Sequence, residues 1–287
     1  MREEPRTREM GGMTGNAHFE FTDRDFQFVA RFIGERAGIV LGEGKRELVY
    51  GRLIRRLRAL GLRRFGDYCA LLEDDAHEEV EHFINALTTN LTSFFREPHH
   101  FEHLATNLLP ALLRQRGDKR LRVWSAGCST GEEPYSIAMV LAEVMPPSWD
   151  WKVLATDLDS NVVRTAAAGI YGIERVKGMD RVRLRRFFQR GGGTREGLVR
   201  VRGELRERVR FRRLNLLEPW PLRAPVDIIF CRNVVIYFDK PTQRSLFERY
   251  ADQLVAEGHL FVGHSESLFK VCDRFRPLGG TIYQKVR

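Results

Sequence analysis

From residue 121 onward, the sequence alternates between short apolar runs and amphipathic runs with helical periodicity. The apolar runs are "LRVWSA", "WKVLATDLD", "VDIIFCRNVVIYF" and "GHLFVGHSE", and helical patterns over 133–144 and 160–168 follow the first two. Strands that alternate with helices build parallel sheets with right-handed crossover connections. The pattern therefore predicts a doubly wound, Rossmann-like α/β domain over residues 121–287.

This alternation breaks over residues 172–210, where arginine is dense and short alternating segments flank Gly191, Gly192 and Gly193. A run of glycines between alternating segments is typical of a β-hairpin turn. We therefore predict a small antiparallel β insert within the α/β domain.

The first part of the chain has helical periodicity. Phe26, Val29, Ala30 and Ile33 recur at three- and four-residue spacing behind the candidate helix cap Thr22. We predict an all-α domain over residues 18–88, followed by a linker and a helix over residues 89–120. Residues 1–17 are polar and aperiodic, which predicts a mobile tail.

Composition excludes several classes of protein. The sequence has no run of about 18 apolar residues and no apolar signal segment at its start, so we expect a cytoplasmic protein without membrane insertion. The cysteines form no C-x-x-C pair, which argues against a zinc site and a disulfide framework. The net charge of +9 indicates an acidic partner, and charge alone leaves nucleic acid, an anionic membrane surface and an acidic protein open.

The stretch "RVWSAGCSTGEEPYSIA" (122–138) runs from a strand through a glycine turn into a helix, which is the usual position of a nucleotide-binding turn. Glu132 and Glu133 at the helix start would repel a phosphate. Asp157 ends the second strand, where nucleoside-binding folds place an acid that holds ribose hydroxyls. A cofactor with adenosine, no phosphate and a positively charged end fits this pattern, and S-adenosylmethionine is such a cofactor.

Other interpretations of the same residues stay open at this point. A turn with two glycines is as often structural as it is a binding site. Asn215 and Asn233 are also explained as side chains that satisfy turn backbone, and Tyr237 as a core residue. His99 and His103 have the spacing of two metal ligands on a helix, but no third ligand is evident, so no metal is predicted.

Six stretches between about residue 20 and the C-terminus carry a further signal. They are "INALTTNLTSFFRE", "RVWSAGCSTGEEPYSIA", "ATDLD", "NLLE", "FCRNVVIYFDK" and "GHSES". In this order they resemble the CheR-type chemotaxis receptor methyltransferases. The resemblance implies an all-α domain joined to an S-adenosylmethionine-binding domain that methylates receptor glutamates. The products would be glutamate γ-methyl esters and S-adenosylhomocysteine.

The resemblance also implies roles for individual residues. The positions that match the family's cofactor contacts are Asn90, Thr92, Arg96, Glu133, Asp157, Asn215, Leu216, Arg232 and Asn233. Arg96 and Tyr237 match residues that border the transferred methyl group, so we expect these two to be the catalytic residues. The implied partner is the cytoplasmic domain of methyl-accepting chemotaxis receptors, with recruitment of the protein to membrane receptor arrays.

Two further surfaces are candidate substrate sites. In "GKRELVYGRLIRRLRALG", helical spacing collects four cations on one face, which we expect to recognise the acidic methylation region of the receptor. These cations are Lys45, Arg52, Arg55 and Arg56. The family counterpart of the β insert binds a C-terminal receptor peptide by strand addition, which implies a peptide site around Gly191, Gly192 and Gly193. A solvated basic face and a solvated loop are the simpler alternatives.

Three other functions fit parts of the pattern. A nucleic-acid methyltransferase fits the charge and the fold, but "RNVVIY" stands where enzymes that methylate base amino groups usually have Asn/Asp-Pro-Pro-aromatic, so we expect no nucleic-acid partner. A nicotinamide oxidoreductase fits the alternation, but the turn is acidic and lacks the third glycine. A non-catalytic receptor-binding module would bind the cofactor without transferring a methyl group to protein.

Overall fold

Four α-helices occupy the described residues up to position 87. The computed structural model describes residues 19–74 and 77–286, so the tail predicted over residues 1–17 lies outside the described part of the chain. The helices are α1 (Asp23–Ala37), α2 (Arg46–Ala59), α3 (Phe65–Leu72) and α4 (Glu79–Leu87). The predicted all-α N-terminal region is confirmed.

Helix α1 begins and ends at residues with clear capping chemistry. Thr22 Oγ1 accepts a hydrogen bond from the Asp25 N–H at 3.2 Å, and the Asp25 carboxylate accepts one from the Thr22 N–H at 2.9 Å. This reciprocal pair is a capping box. Gly38 ends the helix with a φ of 69°, in the left-handed region that favours glycine.

The helices of the N-terminal domain pack through one apolar face each. Val49, Leu53 and Leu57 of α2 are fully buried, and they share a core cluster with Ile33 of α1 and Phe83 of α4. The spacing of four residues places the three α2 side chains on one side of the helix. The opposite side of α2 is left for the charged residues.

The elements that follow form an α/β domain. In chain order they are α5 (Pro98–His103), α6 (Leu109–Gln115), β1 (Arg120–Ala126), α7 (Glu132–Val144), β2 (Asp150–Asp157), α8 (Ser160–Ala168), β3 (Ile170–Gly172), α9 (Arg181–Phe187), β4 (Phe188–Arg190), β5 (Leu198–Val201), α10 (Gly203–Arg206), β6 (Val209–Arg213), β7 (Val226–Cys231), α11 (Lys240–Gln253), β8 (Leu254–Val262), β9 (Phe275–Gly279) and β10 (Ile282–Lys285). A π-helical turn over Leu104–Leu108 joins α5 to α6.

The main sheet has seven strands in the order β6-β2-β1-β7-β8-β10-β9. The first five are parallel, and β10 runs antiparallel to both of its neighbours. Every residue of the central strand β7 is buried, which explains why all of its residues except Asp227 are apolar. The predicted α/β class is confirmed, with a C-terminal hairpin that makes the sheet mixed.

Strand β7 is shorter than the apolar run "VDIIFCRNVVIYF" predicts. The strand ends at Cys231, and Val235–Tyr237 form a 3₁₀ turn. Asn233 has a φ of 59°, and its N–H donates to Glu266 at 2.8 Å instead of to a neighbouring strand. The apolar run continues past the strand because Val235 is buried in the core.

The predicted β insert is confirmed as a small antiparallel sheet in the order β3-β5-β4. Helix α9 precedes β4, and helix α10 follows β5. Arg183 of α9 pairs with Glu143 near the end of α7, with 2.8 Å between Nε and Oε1. The insert therefore packs along α7 instead of projecting away from the domain.

Hydrogen bonds fix the helical domain against the carboxyl edge of the main sheet. Thr88 Oγ1 and Asn90 Nδ2 both donate to Asp159 Oδ2, at 3.0 and 2.8 Å. The Val40 N–H donates to the Tyr237 carbonyl at 2.9 Å. The helical domain thus forms one wall of any site at this edge. Within residues 19–74 and 77–286, no helix is both long and apolar enough to cross a bilayer.

Candidate active site

The turn between β1 and α7 requires glycine at both of its glycine positions. Gly127 and Gly131 each have a φ of 98°, which side-chain-bearing residues rarely adopt. A Cβ on Gly127 would lie 2.3 Å from Val234 Cγ2, and one on Gly131 would lie 2.8 Å from the Tyr171 hydroxyl. The turn is therefore packed tightly between the loop after β7 and the β insert.

The two glutamates at the start of α7 have different partners. Glu133 Oε1 accepts a hydrogen bond from Ser125 Oγ at 2.7 Å, and Glu133 Oε2 lies 3.2 Å from Arg232 Nη1. Burial raises the pKa of Glu133, although the Arg232 charge opposes that shift. Glu132 is fully buried and pairs with Arg175. The Glu132 charge is thus compensated within the protein by the β insert, and the Glu133 charge by Arg232.

Asp157 lies at the end of β2, and it lines a cleft at the carboxyl edge of the sheet. Its Oδ2 accepts the Ser129 N–H at 2.8 Å, and its Oδ1 accepts the Asp159 N–H at 3.0 Å. Burial raises the pKa of Asp157 to about 6, although these two hydrogen bonds favour the ionised form. A carboxylate has about four lone-pair sites, so acceptor capacity remains for hydroxyl groups of a ligand.

The cleft lies between the helical domain and the sheet, with about 980 Å³ of space not filled by atoms, including its opening to solvent. Its walls include six residues assigned to sites from the sequence: Lys45, Asp157, Asn215, Leu216, Asn233 and Tyr237. The helical domain and the linker add apolar and small polar side chains, among them Val40, Leu48, Thr88 and Thr89. The structure therefore brings together residues from four strand ends and from α2.

Residues 90–97, here called the capping segment, are held against the glycine turn and α7. Four hydrogen bonds hold the backbone of the segment. Ser129 Oγ donates to the Asn90 carbonyl at 3.2 Å, and Arg175 Nη2 donates to the Thr92 carbonyl at 3.0 Å. The Phe95 N–H donates to Ser136 Oγ at 3.0 Å, and Arg232 Nη2 donates to the Arg96 carbonyl. Phe95 and Glu97 have positive φ values of 53° and 56°. Such strained conformations persist only where the surrounding contacts over-determine them, and they cluster at functional sites.

Two side chains of the capping segment that were assigned to cofactor contacts bond to the protein itself. Asn90 Nδ2 donates to Asp159 Oδ2 at 2.8 Å, and Arg96 Nη1 donates to the Leu91 carbonyl at 2.8 Å. Thr92 takes part through its carbonyl. The cofactor roles of these three residues, and the catalytic role of Arg96, stay predictions.

Arg232, which directly follows β7 at the carboxyl edge of the sheet, is a buried cation, and it is not among the residues that line the cleft. Its guanidinium lies 3.2 Å from Glu133 Oε2 and 3.3 Å from Glu97 Oε2. Burial raises the pKa of Glu97, but the hydrogen bond to His264 and the charge of Arg232 outweigh burial and lower that pKa to about 2. Arg232 Nε is buried and has no hydrogen-bond partner in the described part of the chain. A buried, unsatisfied N–H on a guanidinium is suited to a carboxylate ligand.

Glu266 is a site residue whose role the sequence reasoning missed. Its two carboxylate oxygens accept four backbone N–H groups, from Gly263 at 2.6 Å, Asn233 at 2.8 Å, Val234 at 2.8 Å and Ile236 at 3.3 Å. Burial raises the pKa of Glu266, and these hydrogen bonds oppose that shift. Glu266 thereby fixes the loop that carries Asn233 and Tyr237. The signal was the acid in "GHSES", which follows the strand next to β7.

Asn215 has both an internal role and a place in the cleft. Its Nδ2 donates to the Arg36 carbonyl at 2.8 Å, and its Oδ1 accepts the Leu217 N–H at 3.0 Å. The interpretation of Asn215 as a residue that satisfies turn backbone therefore agrees with the structure. The same contacts place the neighbouring Leu216 in the cleft wall beside α1.

The four cations assigned to one face of α2 differ in their surroundings. Lys45 and Arg55 are exposed. Arg52 donates to the Leu87 and Thr88 carbonyls at 2.7 and 2.9 Å, and no carboxylate pairs with it in the described part of the chain. Arg56 forms a bidentate pair with the buried Glu79, at 2.9 and 2.7 Å. This pair compensates the Arg56 charge, so the surroundings of Arg56 do not support a role in substrate recognition, and that role stays a prediction.

The glycine run of the insert lies in the hairpin between β4 and β5. The Gly191 N–H donates to the Leu198 carbonyl at 2.9 Å, and a Cβ on Gly191 would lie 2.1 Å from the Arg195 carbonyl oxygen. Gly191 is thus required by the turn. Gly192 and Gly193 have open space around them, and Gly193 has a φ of 59°. A peptide site here stays a prediction.

The candidate histidine pair is not assembled as its spacing suggests. His99 Nε2 and His100 Nε2 both contact the Gly280 carbonyl, at 3.1 and 2.8 Å, while His103 packs against Phe261. Ligand atoms of Glu97, His99 and His100 lie within 4.8 Å of one another. Glu97 is ion-paired with Arg232 and both imidazoles contact a carbonyl, so these groups have protein partners.

Comparison with known proteins agrees with this geometry. The family described as "CheR methyltransferase, all-alpha domain" matches residues 24–88, and "CheR methyltransferase, SAM binding domain" matches residues 90–284. The "Chemotaxis protein methyltransferase" of Escherichia coli (strain K12) is 49% identical over 265 residues, which cover 91% of this chain and 91% of that protein. The "Chemotaxis protein methyltransferase 2" of Pseudomonas aeruginosa is 47% identical over 274 residues, which cover 94% of this chain and 95% of that protein. The chain therefore belongs to the CheR methyltransferase family, and S-adenosylmethionine is its cofactor.

Proposed function

We propose that this chain transfers the methyl group of S-adenosylmethionine to glutamate side chains of chemotaxis receptors at membrane receptor arrays. The products are glutamate γ-methyl esters and S-adenosylhomocysteine. The observation that carries the proposal is the buried Glu133–Arg232 pair, which lies at the same sheet edge as Asp157. The names of the relatives, which are chemotaxis protein methyltransferases, support a receptor substrate.

The residues present fit the cofactor. Arg232 offers a buried N–H without a protein partner to a carboxylate, and Glu133 offers a carboxylate to an ammonium group. Asp157 has remaining acceptor capacity for ribose hydroxyls. When bound, S-adenosylmethionine supplies an electrophilic methyl group on a sulfonium. We assign Asn215, Leu216 and Asn233 to the wall around the adenosine.

The acceptor needs alignment more than it needs a general base. A glutamate has a pKa of about 4.3, so it is already ionised at neutral pH. Attack on the methyl group then depends on orientation and on removal of water. We assign Arg96 to orientation of the acceptor carboxylate and Tyr237, which lines the cleft, to a hydrogen bond with it. Both contacts must stay weak enough that they do not stabilise the anion more than the transition state.

The proposal is tested by the chemistry of the product. Protein is incubated with methyl-labelled S-adenosylmethionine and membranes that contain candidate receptors. We expect label on the receptor that is released as methanol in mild base, since carboxyl esters are base-labile and N-methyl groups are not. Label that resists base, label on added RNA or DNA, or cofactor binding without any protein label contradicts the proposal.

We also propose that Lys45, Arg52 and Arg55 present positive charge to the acidic methylation region of the receptor. Lys45, which directly precedes α2, lines the cleft, and Arg55 is exposed on α2. Arg52 donates to two carbonyl groups and to the Thr89 hydroxyl, so its charge is not cancelled by a carboxylate in the described part of the chain. Attraction of this kind raises the encounter rate and selects register more than it adds affinity.

Charge reversal in Lys45→Glu/Arg55→Glu is expected to lower the rate of receptor methylation several-fold at low salt. The loss should shrink as salt rises, because the Debye length falls from about 30 Å at 0.01 M to about 10 Å at 0.1 M. The measurement is the initial rate across a salt series, with S-adenosylhomocysteine affinity recorded in parallel. Arg31→Glu, an exposed cation of α1, is the control. If the double variant shows the same methylation rates as this control across the salt series, Lys45 and Arg55 do not attract the receptor.

A third proposal concerns the β insert, which we suggest binds a C-terminal receptor peptide along the edge strand β4. Within the insert sheet this strand pairs with β5 only, and its residues Gln189 and Arg190 are exposed. An open edge offers backbone groups to an added strand. Residues 170–213 contain 15 lysines and arginines but only 5 acidic residues, which suits an acidic peptide.

Deletion of the C-terminal peptide from a receptor that carries one is expected to weaken binding of this protein to the receptor. The measurement is co-sedimentation with receptor-containing membranes, with and without the free peptide as competitor. The affinity of this protein for S-adenosylhomocysteine should not change, because the deletion is in the receptor and leaves the cofactor site unaltered. If equal amounts of this protein co-sediment with intact and with truncated receptors, the insert does not bind the C-terminal peptide.

A further inference from the structure

We propose that Arg175, in the β insert, is a positioning residue that locks the capping segment onto the start of α7 and so sets cofactor affinity. The inference rests on the cofactor site of the proposed function. Arg175 lies in the 3₁₀ turn Ile173–Val176, directly after β3. No sequence motif pointed to it, because it belongs to the arginine-dense insert.

The Arg175 guanidinium bridges two parts of the site. Its Nε lies 3.0 Å from Glu132 Oε1, and its Nη2 bonds to the same oxygen. The same Nη2 donates to the Thr92 carbonyl at 3.0 Å. Glu132 is fully buried, whereas the Arg175 side chain is 39% exposed. One cation from the insert therefore ties the capping segment to the carboxylate next to Glu133.

Neighbouring contacts make the insert a continuous support for this bridge. Tyr171 of β3 donates its hydroxyl hydrogen to the Thr130 carbonyl at 2.8 Å, within the glycine turn. The Phe94 ring of the capping segment packs edge-on against Tyr171 and Phe188, with centroids 5.1 and 5.6 Å apart. The turn, the helix start and the capping segment are thus all held by the insert.

Loss of the bridge has two separable consequences. Without Arg175, the Glu132 carboxylate is left buried without its cation, which is costly to the whole fold. The Thr92 carbonyl also loses its donor, and the strained backbone at Phe95 and Glu97 loses one of the contacts that hold it. The capping segment is then held against the glycine turn and α7 for a smaller fraction of the time. Cofactor affinity falls in proportion to that fraction.

The test separates these consequences with three variants. Arg175→Met removes the contacts to Glu132 and to the Thr92 carbonyl. Arg175→Lys keeps the positive charge but lacks the planar guanidinium that bonds to both groups. Arg175→Met/Glu132→Gln removes both contacts and also the buried negative charge. Glu143→Gln is the matched control, because it breaks the other ion pair between the insert and α7. The readouts are S-adenosylhomocysteine affinity by calorimetry, thermal unfolding, and hydrogen exchange of residues 90–97 in the cofactor-free protein.

We expect Arg175→Met to lower S-adenosylhomocysteine affinity roughly ten- to hundredfold, the effect of losing charge-assisted hydrogen bonds. The double variant should regain thermal stability yet keep low affinity and fast hydrogen exchange in residues 90–97. Glu143→Gln should match the wild type in affinity and in hydrogen exchange. In receptor methylation, KM for the cofactor should rise more than kcat falls.

Recovery of wild-type affinity in the double variant would mean that Arg175 only neutralises Glu132, and it would overturn the proposal. Wild-type affinity in Arg175→Met or Arg175→Lys would do the same. If Arg175→Met does not fold, the lysine and double variants decide the matter. Failure of the proposed function is distinct, because it appears as missing base-labile label with the wild-type protein.

Discussion

Asp157→Ala lowers the affinity for S-adenosylhomocysteine by about 2 to 4 kcal/mol, the expected cost of removing two charge-assisted hydrogen bonds to ribose hydroxyls. Asp157 lies at the end of β2 and lines the cleft. Calorimetry measures the change. Asp239→Ala, which removes the exposed N-cap of α11, is the control and should leave the affinity unaltered.

The pH dependence gives a second measure of the same residue. Burial raises the pKa of Asp157 to about 6 in the cofactor-free protein. Hydroxyl donors of the ligand favour the carboxylate, so binding should lower this pKa and release a proton. Wild-type affinity should therefore fall as the pH drops through 6, and Asp157→Asn should lack this component. If a folded Asp157→Ala variant keeps wild-type affinity for S-adenosylhomocysteine, Asp157 does not bind the ribose.

Glu266→Gln should disrupt the loop after β7 although it changes only one atom of the side chain. Each carboxylate oxygen of Glu266 accepts two backbone N–H groups, so an amide nitrogen in either position would face two donors. Leaving buried donors unsatisfied costs about 1–3 kcal/mol each, so we expect a loss of at least that size in the free energy of unfolding. Denaturant unfolding measures it.

The same variant should lose receptor methylation beyond its loss of stability. Asn233 and Tyr237 lie in the loop that Glu266 holds, so their displacement lowers both cofactor affinity and kcat. Ser265→Ala, the exposed neighbour in "GHSES", should be neutral in both assays. If Glu266→Gln unfolds at the same denaturant concentration as Ser265→Ala, the carboxylate does not hold the loop.

The architecture was largely predictable because it depends on local periodicity. The buried strand β7 is apolar except for Asp227, and α2 repeats apolar residues every four positions at Val49, Leu53 and Leu57. Such patterns report which faces are buried. The apolar run continues beyond β7 because Val235 is buried like a strand residue, while the loop backbone at Ile236 is held by Glu266, which is 30 residues further along the chain.

The site was predictable where a strand end alone determines position, as it does for Asp157, Asn215 and Asn233. It was not predictable where the outcome depends on a distant partner. Glu132 and Glu133 are adjacent in sequence, yet one pairs with Arg175 of the insert and the other with Arg232 after β7. Arg56 has the helical spacing of a surface cation, and only the fold places Glu79 beside it.

The cleft draws its walls from both domains, and this limits how the protein can be recombined. Lys45, Leu48 and Thr89 belong to the helical domain and linker, but they line the same space as Asp157. A chimaera that receives the helical domain of a relative therefore also receives a new wall for this cleft. Under the proposed function, an exchange made to change the receptor would also change the cofactor site, so it needs matched changes at the carboxyl edge of the sheet.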